Sequence, residues 1–351
     1  MAPPPCPSPG RFNLYSALTK LTLLGLALLA VIYFDMVSPS LLAHLLVHPR
    51  TALLSLLIIL ASAQLNVLRW YLLLRIQGCP LGFGRVWQIS YISYFFSTFL
   101  PGAIGGDALR AYYVSREGHD TRAHAFLTIV FDRILGLLGL LILGILFAAF
   151  DLPKILAQPL LASLFYVCLG VLVVLMATIP LAATLHRAGL FQAFGTSQPL
   201  QRLIALVMEA IENYRGFPLR TGLCLGLSVI THAMVAAGMV VIALSFNLPA
   251  LSPTDLGLAS TLAVLANHIP LTPGGLAIGE ASFATICGLL APAHATAGYG
   301  SVIFASRLIT ILSTLPGALA LLIFRHPPQA AAETLASAES TRSTPASSRP
   351  G

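Results

Sequence analysis

Residues 127–150 read LTIVFDRILGLLGLLILGILFAAF, and this run decides the fold. It supplies the roughly 20 apolar residues needed to cross about 30 Å of hydrocarbon. Near its start it also carries Asp132 and Arg133. An arginine inside such a span costs roughly 3 kcal/mol or more unless a partner or water receives it. The reading is therefore a transmembrane helix with a polar requirement built into one end.

The rest of the chain repeats the pattern. Hydrophobic residues make up 57% of the sequence and charged residues 9%, with a mean hydropathy of +0.87. A soluble core-and-surface protein cannot reach this balance, so the surface must face lipid. Further full spans are expected at 14–34, 51–74, 159–183, 221–246 and 299–324. The first of these resembles a signal peptide but lacks a small-residue cleavage pattern after it, and is kept as a span. Residues 1–11 and 326–351 are Pro-rich or Pro/Ala/Ser/Thr mixtures with nothing to bury, and are expected to be disordered. That leaves one membrane domain over 12–325.

Two stretches differ from the spans. Residues 86–106 are rich in Tyr, Ser and Phe and end in Pro101-Gly102-Ala103-Ile104-Gly105-Gly106, and residues 256–290 are cut by Ile269-Pro270-Leu271-Thr272-Pro273-Gly274-Gly275. Neither reads as one continuous helix, and both are expected to be re-entrant or broken hairpins. The basic residues support this. With both stretches re-entrant, all of the 19 Lys and Arg residues except Arg50, Lys154, Arg133 and Arg307 fall on one side. That side is then cytoplasmic, and both termini lie on it. The net charge of +7 is explained by these loops, and no nucleic-acid partner is needed.

The stretches also resemble each other. Pro101 and Pro273, Asp107 and Glu280, and Arg133 and Arg307 are separated by 172, 173 and 174 residues. A near-constant offset is what a duplication leaves. Each half, about 12–150 and 159–325, holds three spans and one broken hairpin, and three is odd, so the second half enters the membrane inverted.

Candidate binding residues follow from this arrangement. Arg133 and Arg307 are expected to face an interior cavity, with Arg110 able to reach an anionic head group. Gly105, Gly106, Gly274 and Gly275 would let backbone N–H groups approach a phosphate. Asp107, Asp132 and Glu280 would pair with the arginines or with a cationic partner. Asp132 and Arg133 are adjacent on one helix and cannot face each other, so Asp132 requires a partner on another element. Asp132, Gly136 and Gly139 share one stripe, and Arg307, Thr310 and Thr314 another. Trp70 and Trp87 read as interface anchors, and Asn66 and His268 as lining the interior. The five cysteines show no paired spacing, His44 and His48 lack a third ligand, and neither a metal nor a cofactor is expected.

The stretch Pro101 to Arg110, the pair Asp132-Arg133 and the stretch Ile269 to Glu280 together resemble the lysylphosphatidylglycerol synthase transmembrane family, also called flippase-like, over about residues 12–325. The resemblance implies a multi-pass protein of a bacterial or archaeal inner membrane, linked to lipid translocation or to lipid-linked glycan and hopanoid pathways. Full synthases of that group join this membrane part to a soluble lysyl-transfer domain, which the sequence does not show, so a lysyltransferase activity is not expected. The leading expectation is a flippase-like protein that binds or translocates an anionic or lipid-linked substrate. The alternatives are a membrane-embedded lipid-modifying transferase, or a scaffold holding pathway enzymes at its cytoplasmic loops.

Overall fold

The computed structural model describes residues 46–98, 104–115, 122–187, 198–246, 251–268, 278–291 and 299–323. Among them the chain is helical, with eleven helices: α1 (Pro49–Ile76), α2 (Phe83–Ser97), α3 (Ile104–Ser115), α4 (Arg122–Ala149), α5 (Leu152–Ala157), α6 (Pro159–Arg187), α7 (Gln198–Gly216), α8 (Pro218–Ser245), α9 (Pro253–Ala266), α10 (Ile278–Leu290) and α11 (Tyr299–Ile323). Five of these, α1, α4, α6, α8 and α11, are long and apolar enough to cross a membrane. They coincide with five of the expected spans to within a few residues. The sixth, 14–34, lies outside the described residues, as do both expected disordered ends.

The expected break points at Pro101 and at Pro270 to Gly275 lie outside the described residues. The described parts of 86–106 belong to α2 and α3, which pack against each other, and those of 256–290 to α9 and α10, which do the same. At 1.5 Å per residue these four helices are about 18 to 22 Å long, short of the roughly 30 Å hydrocarbon layer. Within the described residues none of the four is long enough to cross by itself. Gly106 and Gly279 make the two hairpins tight. A Cβ at Gly106 would collide with the Ser97 side chain and lie 2.7 Å from the Ser93 carbonyl of α2, while one at Gly279 would run into the Asn267 amide at the end of α9.

Helix packing falls into two matched sets. α1 and α8 lie along each other; α3 packs on α4 as α10 packs on α11; α2 packs on α11 as α9 packs on α4; α4 packs on α8 as α11 packs on α1. Exchanging α1–α4 for α8–α11 thus maps each pairing onto another. Each hairpin is gripped by the last long helix of the opposite half. Gly317 on α11 carries one of these grips, lying so close to the Tyr91 carbonyl of α2 that no side chain fits.

The remaining helices frame this core. α6 keeps most of an apolar face outward, including Tyr166, Val167, Val173 and Val174, a surface suited to lipid. α7 is amphipathic: Met208, Ala210, Ile211 and Tyr214 are buried and Glu209 and Glu212 are exposed. It is moored to the end of α1, where Gln77 Nε2 donates to the Ala210 carbonyl at 2.9 Å and Gln77 Oε1 accepts from Asn213 Nδ2 at 3.0 Å. Ser252 caps α9 in a reciprocal capping box with Asp255, and Lys154 on α5 donates to both Asp255 carboxylate oxygens at 3.0 Å.

Candidate functional site

Asp132 is 4% exposed and organises three helices. Its Oδ1 accepts from Arg69 Nε of α1 at 2.8 Å, and its Oδ2 accepts from Arg110 Nη1 of α3 at 3.2 Å. Arg69 spends a further donor on Ser228 Oγ of α8 at 2.7 Å. Both arginines are buried, at 5% and 3% exposure. The Arg110 guanidinium lies over Trp70 at 4.7 Å and Tyr94 at 5.2 Å from the ring centres. Trp70 Nε1 is held in turn by Thr128 Oγ1 at 3.1 Å. The stripe of α4 that carries Asp132 fits this arrangement: Gly136 leaves room for the Arg69 guanidinium, and Gly139 brings the α8 backbone at Ser228 into contact.

Two guanidiniums around one carboxylate leave a buried excess of positive charge. Burial of ions is tolerable only where hydrogen bonds replace water, and removing one member of such a set costs about 3–5 kcal/mol. This network therefore fixes α1, α3, α4 and α8 in register, with a positive field inside the low-dielectric core.

Arg133, one residue on, points elsewhere, as helix geometry demands. It meets Asp107 in a two-pronged pair, Nε to Oδ2 at 2.6 Å and Nη2 to Oδ1 at 2.8 Å. Asp107 lies in the first turn of α3, where the helix dipole favours a carboxylate. The helix begins three residues before Asp107, at Ile104.

A cavity of about 380 Å³ lies among α1, α2, α8, α9 and α11. Its lining mixes apolar residues, Ile59, Ala63, Val235, Met239, Val264, Ile303 and Ile311, with polar ones, Ser62, Asn66, Tyr94, Ser97, Asn267 and, on α11, Ser306, Arg307, Thr310, Ser313 and Thr314. Among the described lining residues Arg307 is the charged one. Tyr94 joins the cavity to the ionic network, since its ring lies under Arg110 while its residue lines the space. The Tyr94 hydroxyl and Asn267 Oδ1 are buried without a hydrogen-bond partner. Such atoms are costly to leave unsatisfied, and both border a space of the size small ligands occupy.

The sequence profile of the lysylphosphatidylglycerol synthase TM region matches residues 18–317. The chain belongs to that family. No curated protein sequence matches it. Family membership and the five long apolar helices make it a multi-pass integral membrane protein.

Of the ten residues singled out from the sequence, those described fall in separate places. Arg307 lines the cavity together with Thr310 and Thr314, the other members of its expected stripe. Arg110 and Asp132 are partners in the ionic network, and Asp107 and Arg133 are partners of each other. Arg133 is not among the cavity-lining residues. Gly106 is buried and serves helix packing. Gly274 and Gly275 lie outside the described residues, as do the side-chain surroundings of Glu280 and the burial of Gly105. Asn66 lines the cavity, whereas of the neighbours Asn267 and His268 it is Asn267 that does so.

Arg69, Tyr94 and Ser228 are missing from the sequence reading. Arg69, within the expected span 51–74, is counted there only among the basic residues of the cytoplasmic side and is instead buried in α1; Trp70 reads as an interface anchor and is fully buried. One signal could have found Arg69: Asp132 needs a cation, and its chain neighbour cannot supply it.

Proposed function

We propose that this protein is a flippase-like lipid binder of the bacterial cytoplasmic membrane, taking the head group of an anionic or lipid-linked substrate into the cavity and passing it between leaflets. The observation that carries the reading is the cavity itself, whose lining combines apolar side chains with hydroxyls and amides and includes Arg307. An ionisable residue at membrane depth that lines a cavity marks a substrate path. The neighbouring excess of arginine over carboxylate in the Asp132 network adds attraction for the same sign of charge.

The matched packing supports the transport half of the proposal. Two sets of helices related by exchange, each with two long helices and a pair of short ones among the described residues, support the reading of an inverted duplication; in this proposal both termini are cytoplasmic, and rocking of such halves about a central site exposes it to alternate faces. The gripping of each hairpin by the opposite half gives that motion a physical axis. In this scheme Asp107–Arg133 and the Asp132 network hold the halves together internally, and Arg307 meets the substrate.

Reconstitution tests the proposal. Proteoliposomes carrying an anionic phospholipid with a head-group or chain fluorophore should lose outer-leaflet fluorescence to a membrane-impermeant quencher and then continue to lose inner-leaflet signal, faster than protein-free vesicles do. Equal rates, together with no saturable lipid binding in detergent, would sink it.

A further inference from the structure

We infer that the apolar span expected at residues 14–34 packs antiparallel along the outward face of α11 formed by Leu312, Leu315 and Leu319, as α6 packs along α4. The inference rests on the matched packing of the two halves and is independent of which substrate the cavity takes.

The exchange of α1–α4 for α8–α11 leaves one pairing without its counterpart. Of the other long helices, α4 packs on α1, α6 and α8, whereas among the described residues α11 packs on α1 and α8. The place on α11 that answers to α6 on α4 is open. Its residues follow from the offset of 174 that relates Arg133 to Arg307: Leu138 answers to Leu312, Leu141 to Leu315 and Ile145 to Leu319. On α4 the first two are 1% and 2% exposed; on α11 their counterparts are 42% and 41% exposed, and Leu319 is more exposed still. Part of the cover on α4 is α6 itself. Leu161, Phe165 and Cys168 of α6 border a small apolar cavity together with Ile145, and Leu172 and Leu175 pack against the cluster that holds Leu138. Higher numbers on α4 thus meet lower numbers on α6, and the two helices run antiparallel.

Faces that the exchange relates should be covered or bare alike. The outer sides of α1 and α8 obey this, with Leu53 and Leu57 exposed on one and Leu223 and Ile230 on the other, as surfaces that meet lipid are. α4 and α11 do not. The element that answers to α6 has to be apolar, of bilayer length and placed ahead of α1 in the chain as α6 is placed ahead of α8. Residues 14–34 meet these requirements. Their reach is sufficient as well: α1 itself lies on α11, and the connecting residues 35–48 extend to ~45 Å, against roughly 10 Å between the axes of neighbouring helices. Leu312, Leu315 and Leu319 lie three and four apart on one stripe, and close packing along such a stripe is what holds helices together where lipid replaces water.

The experiment uses the full chain in the membranes of the expressing cells, with its five cysteines replaced by alanine. Leu312→Cys, Leu315→Cys or Leu319→Cys is combined with one further cysteine placed in turn at each position from 17 to 32, and a short bis-maleimide is added. Cross-linked peptides are identified by mass spectrometry, and dimers on a denaturing gel. Ile145→Cys with Phe165→Cys, across the contact of α4 with α6, sets the yield of true neighbours. The expected result is intramolecular cross-linking at that yield, recurring about every three or four residues, with Leu319→Cys meeting the lower-numbered positions and Leu312→Cys the higher-numbered ones. The reverse order, or no periodicity, overturns the antiparallel packing. A dimer formed at that yield by a single α11 cysteine would give the face to a second copy of the chain. Absence of both products while the α4–α6 pair still reacts would leave it to lipid, and either outcome overturns the inference. If one α11 variant does not accumulate, the other two carry the comparison. These outcomes are separate from lipid transport by the parent protein, which reconstitution measures.

Discussion

Arg133 grips Asp107 with two parallel hydrogen bonds, Nε to Oδ2 at 2.6 Å and Nη2 to Oδ1 at 2.8 Å, and so ties the first turn of α3 to the start of the long helix α4. Lysine cannot reproduce a planar fork. Arg133→Lys should therefore loosen the pair. Because the arginine side chain is exposed, the loss in thermal stability should stay near or below about 1 kcal/mol. The charge swap Asp107→Arg with Arg133→Asp should recover more of the folded yield than either single reversal, measured by size-exclusion chromatography of detergent-solubilised protein.

The Asp132 network should behave very differently. Asp132→Ala strands Arg69 and Arg110, both buried, and a loss of about 3–5 kcal/mol is expected. Thermal unfolding in detergent should show a large drop in midpoint, and the membrane fraction should hold less folded protein. If Asp132→Ala melts like the parent, the network does not hold the helices together.

Tyr94→Phe separates function from stability. The ring stays, so the contact with Arg110 stays, and the hydroxyl removed has no partner in the protein. Unfolding stability should be unchanged or rise by up to about 1 kcal/mol, since a buried unsatisfied group is deleted. Lipid affinity should fall nonetheless. A Tyr94→Phe protein with parental affinity would place the ligand away from Tyr94.

Close backbone approach at the grips can be tested with one carbon atom. Gly317 lies against the Tyr91 carbonyl, and backbone cannot step aside as a flexible side-chain end can. Gly317→Ala should cost about 1–3 kcal/mol. Gly170 on α6 has open space around it, and Gly170→Ala should be neutral or slightly stabilising, by up to about 1 kcal/mol, because alanine is the better helix former.

Much of this architecture is legible in the sequence because bilayer crossing demands length and apolarity in one continuous stretch. The expected span 221–246 and the helix Pro218–Ser245 differ only at their ends, where fraying and capping decide. Proline and glycine are weaker guides: Pro180 lies inside α6, Pro316 and Gly317 inside α11, and Gly105 and Gly106 inside α3. Partner choice is another matter. Asp132 announces that it needs a cation, but Arg69 lies 63 residues away on α1 and Ser228 on α8, and only helix packing brings them together. Trp70 next to Arg69 looks like an interface pair from composition alone. Its burial follows from the Thr128 hydroxyl waiting on α4, which no local pattern reveals.

The most direct test of the account is lipid translocation by Arg307→Leu, assayed in proteoliposomes at folded-protein amounts matched to the parent and with thermal stability measured on the same preparation. If Arg307 meets the substrate's anion, transport of a fluorescent anionic phospholipid should fall at least roughly ten-fold while the protein remains folded, and Arg307→Lys should restore part of it. A folded Arg307→Leu protein that transports the lipid at the parental rate would contradict the account.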